Sequence, residues 1–218
     1  MKLNVPLIRQ EKDTKDCGLA GLVMIFAYNG IHTSIEKLRK EIKVDETGTY
    51  APQLGSYMIS KGLEVELVTL HPSLLTLKDI NRNSRYLIKR FEKLKEKSKS
   101  EQNKMVLGYF IDFLRDGGRI KVKIPNENDV RQEIEQGRPV GALLTSNFLN
   151  SSTPRFNFHF NLITGIDSKN IYVNDPWPGK RGGKQKYKLG DFFFGIYSSM
   201  YGDLDNGCLI KVINSKRK

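Results

Sequence analysis

The sequence is poor in the residues that staple or load small proteins. Among 218 residues there are two cysteines, three histidines and one tryptophan. Two cysteines at opposite ends of the chain, Cys17 and Cys208, make no disulfide framework, so a reducing cytoplasm is the expected setting. No apolar run approaches the ~20 residues of a membrane-spanning helix, so no membrane segment is expected. The opening MKLNVPLIRQEK reaches charge by Arg9 without a signal-peptide core. No zinc-finger spacing, RNA-recognition motif, DNA-reading helix or internal repeat is present. The loop from Gly179 to Lys184 does not match the GxxxxGK[ST] phosphate cradle.

What is present suffices for a globular core. Hydrophobic residues make up 39%, with eleven Phe and nine Tyr. Lysine and arginine number 36 against 24 acids, a formal charge of +12 that raises the question of nucleic acid. Much of the excess sits in Lys89–Lys104 and in Lys216-Arg217-Lys218, which read as a solvated helix face and a frayed end. Nucleic acid is therefore not the favoured partner, although the charge leaves it open.

Periodicity divides the chain into a helical first half and a strand-rich second half, an α+β arrangement. An apolar helix over Cys17–Tyr28 is preceded by Asp16 as its cap and closed by Asn29-Gly30. Helices follow at Ser34–Ile42 and Ala51–Lys61, then a strand at Leu63–Leu70. Residues 78 to 118 are dense in charge and read as two amphipathic helices broken near Ser98–Ser100, a helical insertion in a single 1–218 domain. A strand at Arg119–Ile124, a helix at Glu127–Gln136 and a strand at Pro139–Thr145 come next. After a polar loop at Asn150–Arg155, strands at Phe156–Ile166 and Ile171–Asn174 flank a turn. A basic glycine-rich loop, a short helix near Leu189–Tyr197 and a strand at Cys208–Ile213 complete the chain.

The chemistry concentrates at DCGLAGLVMI. A cysteine in the first turn of a buried helix sits where unpaired amides favour the thiolate. Gly18 beside it leaves room for a substrate backbone. A neutral thiol needs a base, and His159, 142 residues downstream, opens the alternating HFNLITGI. Asp175 closes the following strand, a few residues out of register with His159, so a bulge or strong twist is required to bring them together. The carboxylate would fix the tautomer and support the imidazolium. Trp177 is placed to shield the His–Asp pair or touch substrate. Cys208, His32 and His71 read as structural. Cys17, His159 and Asp175 are zinc-ligand types without a close-spaced pair, so no metal or other cofactor is expected.

These residues resemble the bacteriocin-processing (double-glycine leader) peptidases and their stand-alone C39-like relatives in the papain-like clan. The matching features are Gln10, Asp16-Cys17-Gly18-x-Ala20 with Met24-Ile25, DVRQEIEQGRPVGALL from Asp129 to Leu144, His159 with its apolar strand, and Asn174-Asp175-Pro176 sixteen residues on. The resemblance covers nearly the whole chain outside 78–118. That region is similar to a eukaryotic branch labelled guanylyl-cyclase-like, a label that by itself implies no cyclase chemistry. The resemblance implies a papain-like fold, with the Cys17 helix packed on an antiparallel sheet. It also implies a Cys17–His159–Asp175 triad acting on a peptide or protein, with Gln10 and the Cys17 amide as oxyanion donors. Gln10 stands seven residues before Cys17 where six is usual in the family, and no transporter regions accompany the motif. The same parts would serve an acyltransferase or transpeptidase. A non-catalytic peptide-binding module is the reading from another class.

Overall fold

The structure, a computed structural model, describes residues 1–214. The terminal basic triplet Lys216-Arg217-Lys218 lies outside the described residues. Helix α1 (Cys17–Tyr28) is apolar on every face, and all but Cys17 and Ala27 of its residues are buried. Around it pack α2 (Ile35–Glu41), α3 (Ala51–Ser60) and strand β4 (His159–Ile166). Phe26, Leu22 and Met24 are among the fully buried side chains. Each is worth about 1.5–3 kcal/mol in transfer from water, so Leu22→Ala would cost about 2–5 kcal/mol and loosen the helix that carries Cys17.

Among the described residues seven strands form one sheet in the order β2-β1-β7-β3-β4-β5-β6. The remaining strands are β1 (Glu64–Thr69), β2 (Arg119–Val122), β3 (Val140–Leu144), β5 (Asn170–Asp175), β6 (Gly183–Lys188) and β7 (Leu209–Asn214). β7 pairs antiparallel with both β1 and β3, and β3 through β6 continue antiparallel. At the opposite edge β1 and β2 are parallel, which the half-by-half pattern did not anticipate. Parallel neighbours need a long crossover. Helices α4 (Ser84–Lys97) and α5 (Glu101–Arg115) supply it, so the charged segment between residues 78 and 118 is the connection that makes this pairing possible.

The hairpin breaks at Ser98–Ser100 as the sequence predicts, with Asn83 and Ser100 capping the two helices. Its inner face is apolar: the tilted rings of Phe91 and Phe110 meet at 5.6 Å, and Phe113 fills the space left by Gly55 and Gly118. Helix α6 (Glu127–Glu135) carries an Asn126 capping box and leads to β3. A one-turn helix α7 (Asn147–Asn150) and strand β6 were not apparent from periodicity; both are short, and β6 is polar. Helix α8 (Leu189–Ser199) packs on β3. Among the described residues no helix is long and apolar enough to cross a membrane.

Candidate active site

Cys17 is the first residue of α1. Asp16 occupies the cap position, yet its side chain makes no capping hydrogen bond. Arg39 takes that carboxylate instead, donating from Nε at 2.9 Å, and also pairs with Glu11 at 3.0 Å. The first-turn amides are thereby left to the sulfur, and the charge beside it is neutralised. Gly18 allows the segment before α3 to close on the helix tip, since a Cβ there would collide with Thr49 Oγ1 and press on Leu54.

His159 begins β4, opposite Leu144 of β3. The ring of the next residue, Phe160, fills the space above Gly21 of α1 and Gly141 of β3, pinning the strand to the helix. The register between β4 and β5 slips between Ile163 and Gly165. That irregularity, with Asn174 opposite Leu162, brings Asp175 within reach of the imidazole. His159 Nε2 and Asp175 Oδ1 lie 2.6 Å apart, and both side chains are 1% exposed. The Trp177 amide donates to the same oxygen at 2.8 Å, while the Trp177 ring meets the imidazole edge-on at 5.2 Å. Nδ1 is the ring nitrogen not taken by Asp175, and Cys17 lines the same cleft as the imidazole.

Their protonation equilibria move in opposite directions. Burial would raise the Cys17 pKa, but the hydrogen bond and charge of His159, with the Phe160 and Gly18 amides, bring it below its ordinary 9.0. Burial would lower that of His159, but hydrogen bonds and charge from Asp175 and Cys17 hold it well above 6.5. A thiolate–imidazolium pair is the arrangement these shifts favour.

Gln10 reaches the same cleft. Its backbone amide donates to Pro176 O at 2.9 Å, tying the N-terminal arm to the segment after Asp175. Asn174 Nδ2 holds that arm further back, through Val5 O at 3.1 Å and Pro6 O at 3.2 Å. Gln10 Nε2 gives one hydrogen to Thr14 O at 2.8 Å, which leaves its second for the cleft.

The cleft has two parts meeting at Cys17 and His159. A cavity of about 230 Å³ contains Gln10 and Trp177 and is flanked by Lys15, Arg155 and Arg181. The other part is smaller and includes Asp203, Asp205 and Asn206, which sequence reasoning missed because no motif surrounds them. His32 and His71 stand apart from both parts, as does Cys208. Among the described residues no group of three or more His, Cys, Asp or Glu side chains is arranged to hold a metal ion.

A helix-tip cysteine beside a strand histidine is an arrangement suited to thiol-based acyl chemistry. Two family models match the chain in succession: the Peptidase C39 family over residues 4–95 and the Peptidase_C39 like family over residues 117–204. The chain belongs to the C39 peptidase family. Among solved structures it is similar to a C39-like peptidase from Bacillus anthracis, at 14% identity and a TM-score of 0.56, covering 99% of this chain and 100% of that one. Another similar structure is a double glycine motif protease from an AMS/PCAT transporter in complex with the leader peptide. It shows 19% identity and a TM-score of 0.47 over 97% of this chain and 94% of that one. No curated protein matches the sequence. The gap between the two matched stretches falls within the α4–α5 hairpin and the turn after it.

Proposed function

We propose that the protein hydrolyses a peptide or amide bond through a thioester on Cys17. The thiolate attacks the acyl carbon, and the second N–H of Gln10 and the Cys17 backbone amide receive the oxyanion. His159 gives its Nδ1 proton to the departing amine as the C–N bond breaks. Neutral imidazole then takes a proton from water, whose oxygen attacks the thioester; the acid leaves and the thiolate–imidazolium pair is restored. Asp175 keeps Nε2 hydrogen-bonded throughout and stabilises the imidazolium. The observation that carries this reading is the buried Nε2–Oδ1 contact of 2.6 Å, which leaves Nδ1 as the ring nitrogen available to the sulfur. An amine in place of water would make the same steps an acyl transfer.

The substrate in this reading is a peptide or protein, the domain is a single unit with the α4–α5 hairpin as its insertion, and the setting is a reducing cytoplasm, which keeps Cys17 a free thiol. Alkylation tests it. Iodoacetamide or an epoxide peptidase probe at pH 6 should modify Cys17 rapidly, with the adduct mapped by mass spectrometry, and His159→Ala should abolish that speed. Slow, equal modification of Cys17 and Cys208 would remove the reading.

A further inference from the structure

The smaller part of the cleft has no task in the chemistry above, and its composition is unusual for a space of about 30 Å³. Gly18, Thr49 and Leu143 share its wall with Asp203, Asp205 and Asn206. Asp205 is 1% exposed, and the hydrogen bond recorded for its carboxylate comes from the Ala51 amide at the start of α3, 2.7 Å away. Asp203 is half-buried beside it. Among the described residues neither carboxylate has a salt bridge, and His159 is the only cationic side chain on the wall, its charge already matched by Cys17. Asn206, 2% exposed, has its Nδ2 buried there without a hydrogen-bond partner among the described residues. Two carboxylates lacking a counter-charge and one donor lacking an acceptor together describe a missing ligand. Burial, partly offset by the Ala51 amide and reinforced by Asp203, pushes the Asp205 carboxyl up to about 7, as expected where a cation would complete the site.

Resting on the peptidase reading, we propose that this is a specificity pocket. It binds a primary ammonium group of the substrate between Asp203 and Asp205, and Asn206 Nδ2 donates to a neighbouring carbonyl. The space suits a water-sized ammonium better than a planar guanidinium. The α4–α5 hairpin shapes it. Gln102 of α5 donates to the hydroxyl of Tyr50, which lines the pocket, and the Tyr109 ring lies 5.5 Å from that of Tyr50. The ammonium belongs either to a lysine side chain or to a free N-terminus.

Acyloxymethyl ketone probes directed at Cys17 separate the possibilities in the intact protein. N-acetyl-lysine and free-amine norleucine probes are compared with N-acetyl-norleucine, which has no ammonium, and with N-acetyl-arginine. Labelling about ten- to a hundredfold faster with an ammonium-bearing probe is expected, the scale of a charge-assisted hydrogen bond. A faster acetyl-lysine probe assigns the pocket to a side chain, and a faster free-amine probe to the N-terminus. Asp203→Asn should collapse the ammonium-to-norleucine ratio toward one, a ratio measured within a single variant and insensitive to its overall activity. Equal rates for all probes, with rapid His159-dependent iodoacetamide labelling, would overturn the pocket and leave the peptidase reading standing. Slow labelling by iodoacetamide that ignores His159 would remove both.

Discussion

Cys17 and Cys208 are the same side chain under opposite physics. Cys17 sits partly exposed at a helix tip with an imidazole and two amides around its sulfur. Cys208 is fully buried beside the start of β7, its thiol donating to Leu209 O at 3.3 Å. Burial, helped by the Asp205 carboxylate, pushes its pKa well above 9.0. Burial opposes the thiolate at both positions; what differs is whether donors and a cation outweigh it. Reactivity is therefore set by the neighbours a fold supplies and not by solvent access alone.

The largest break in this comparison is Cys17→Ala, which should abolish peptide hydrolysis and covalent labelling while Cys208 remains unreactive in intact mass measurements. His159→Ala should follow, lowering kcat/KM by on the order of 10²–10⁴ from lost proton transfer and slowing Cys17 alkylation near neutral pH. Gln10→Ala should reduce kcat by about a hundredfold with little change in Cys17 alkylation, because it removes a proposed oxyanion donor and leaves the ion pair alone. At the small end, Cys208→Ser should leave turnover near that of the parent. Burying a hydroxyl in the core should cost about 1–3 kcal/mol in denaturant unfolding. If Cys208→Ser instead removed activity, the division of roles would fail.

Solution pH sharpens the contrast. The depressed Cys17 pKa makes its thiolate stabilising above 9.0, a contribution lost as pH falls through the folded value. The raised His159 pKa gives stability fully present below 6.5 and lost as pH rises through its folded value. The pair therefore persists between the two, and kcat/KM should plateau there, with an acid limb below 9.0 and an alkaline limb above 6.5. Asp175→Asn keeps an acceptor but loses the charge, so the alkaline limb should move to lower pH.

The sequence made the pair readable because each member belongs to a local pattern: Cys17 to a capped apolar helix, His159 to an alternating strand, Asp175 to that strand's partner. Even the misregister of His159 and Asp175 was visible by counting, and the slip between Ile163 and Gly165 resolves it. Asp16 misled as a cap because Arg39, 23 residues away, competes for its carboxylate. The parallel β1–β2 pairing was hidden because neither strand's alternation encodes a neighbour. The acidic pocket was hidden more deeply: Thr49, Gln102, Leu143 and the Asp203–Asn206 segment are brought together only by the finished fold.

Ultraviolet absorbance of the thiolate, titrated in the parent protein and in Cys17→Ser, isolates the sulfur on which the proposed chemistry depends. The difference should show one thiolate persisting well below pH 9.0, with its midpoint shifted upward in His159→Ala. A midpoint at or above 9.0 in the parent, unchanged by removing the imidazole, would contradict the ion pair.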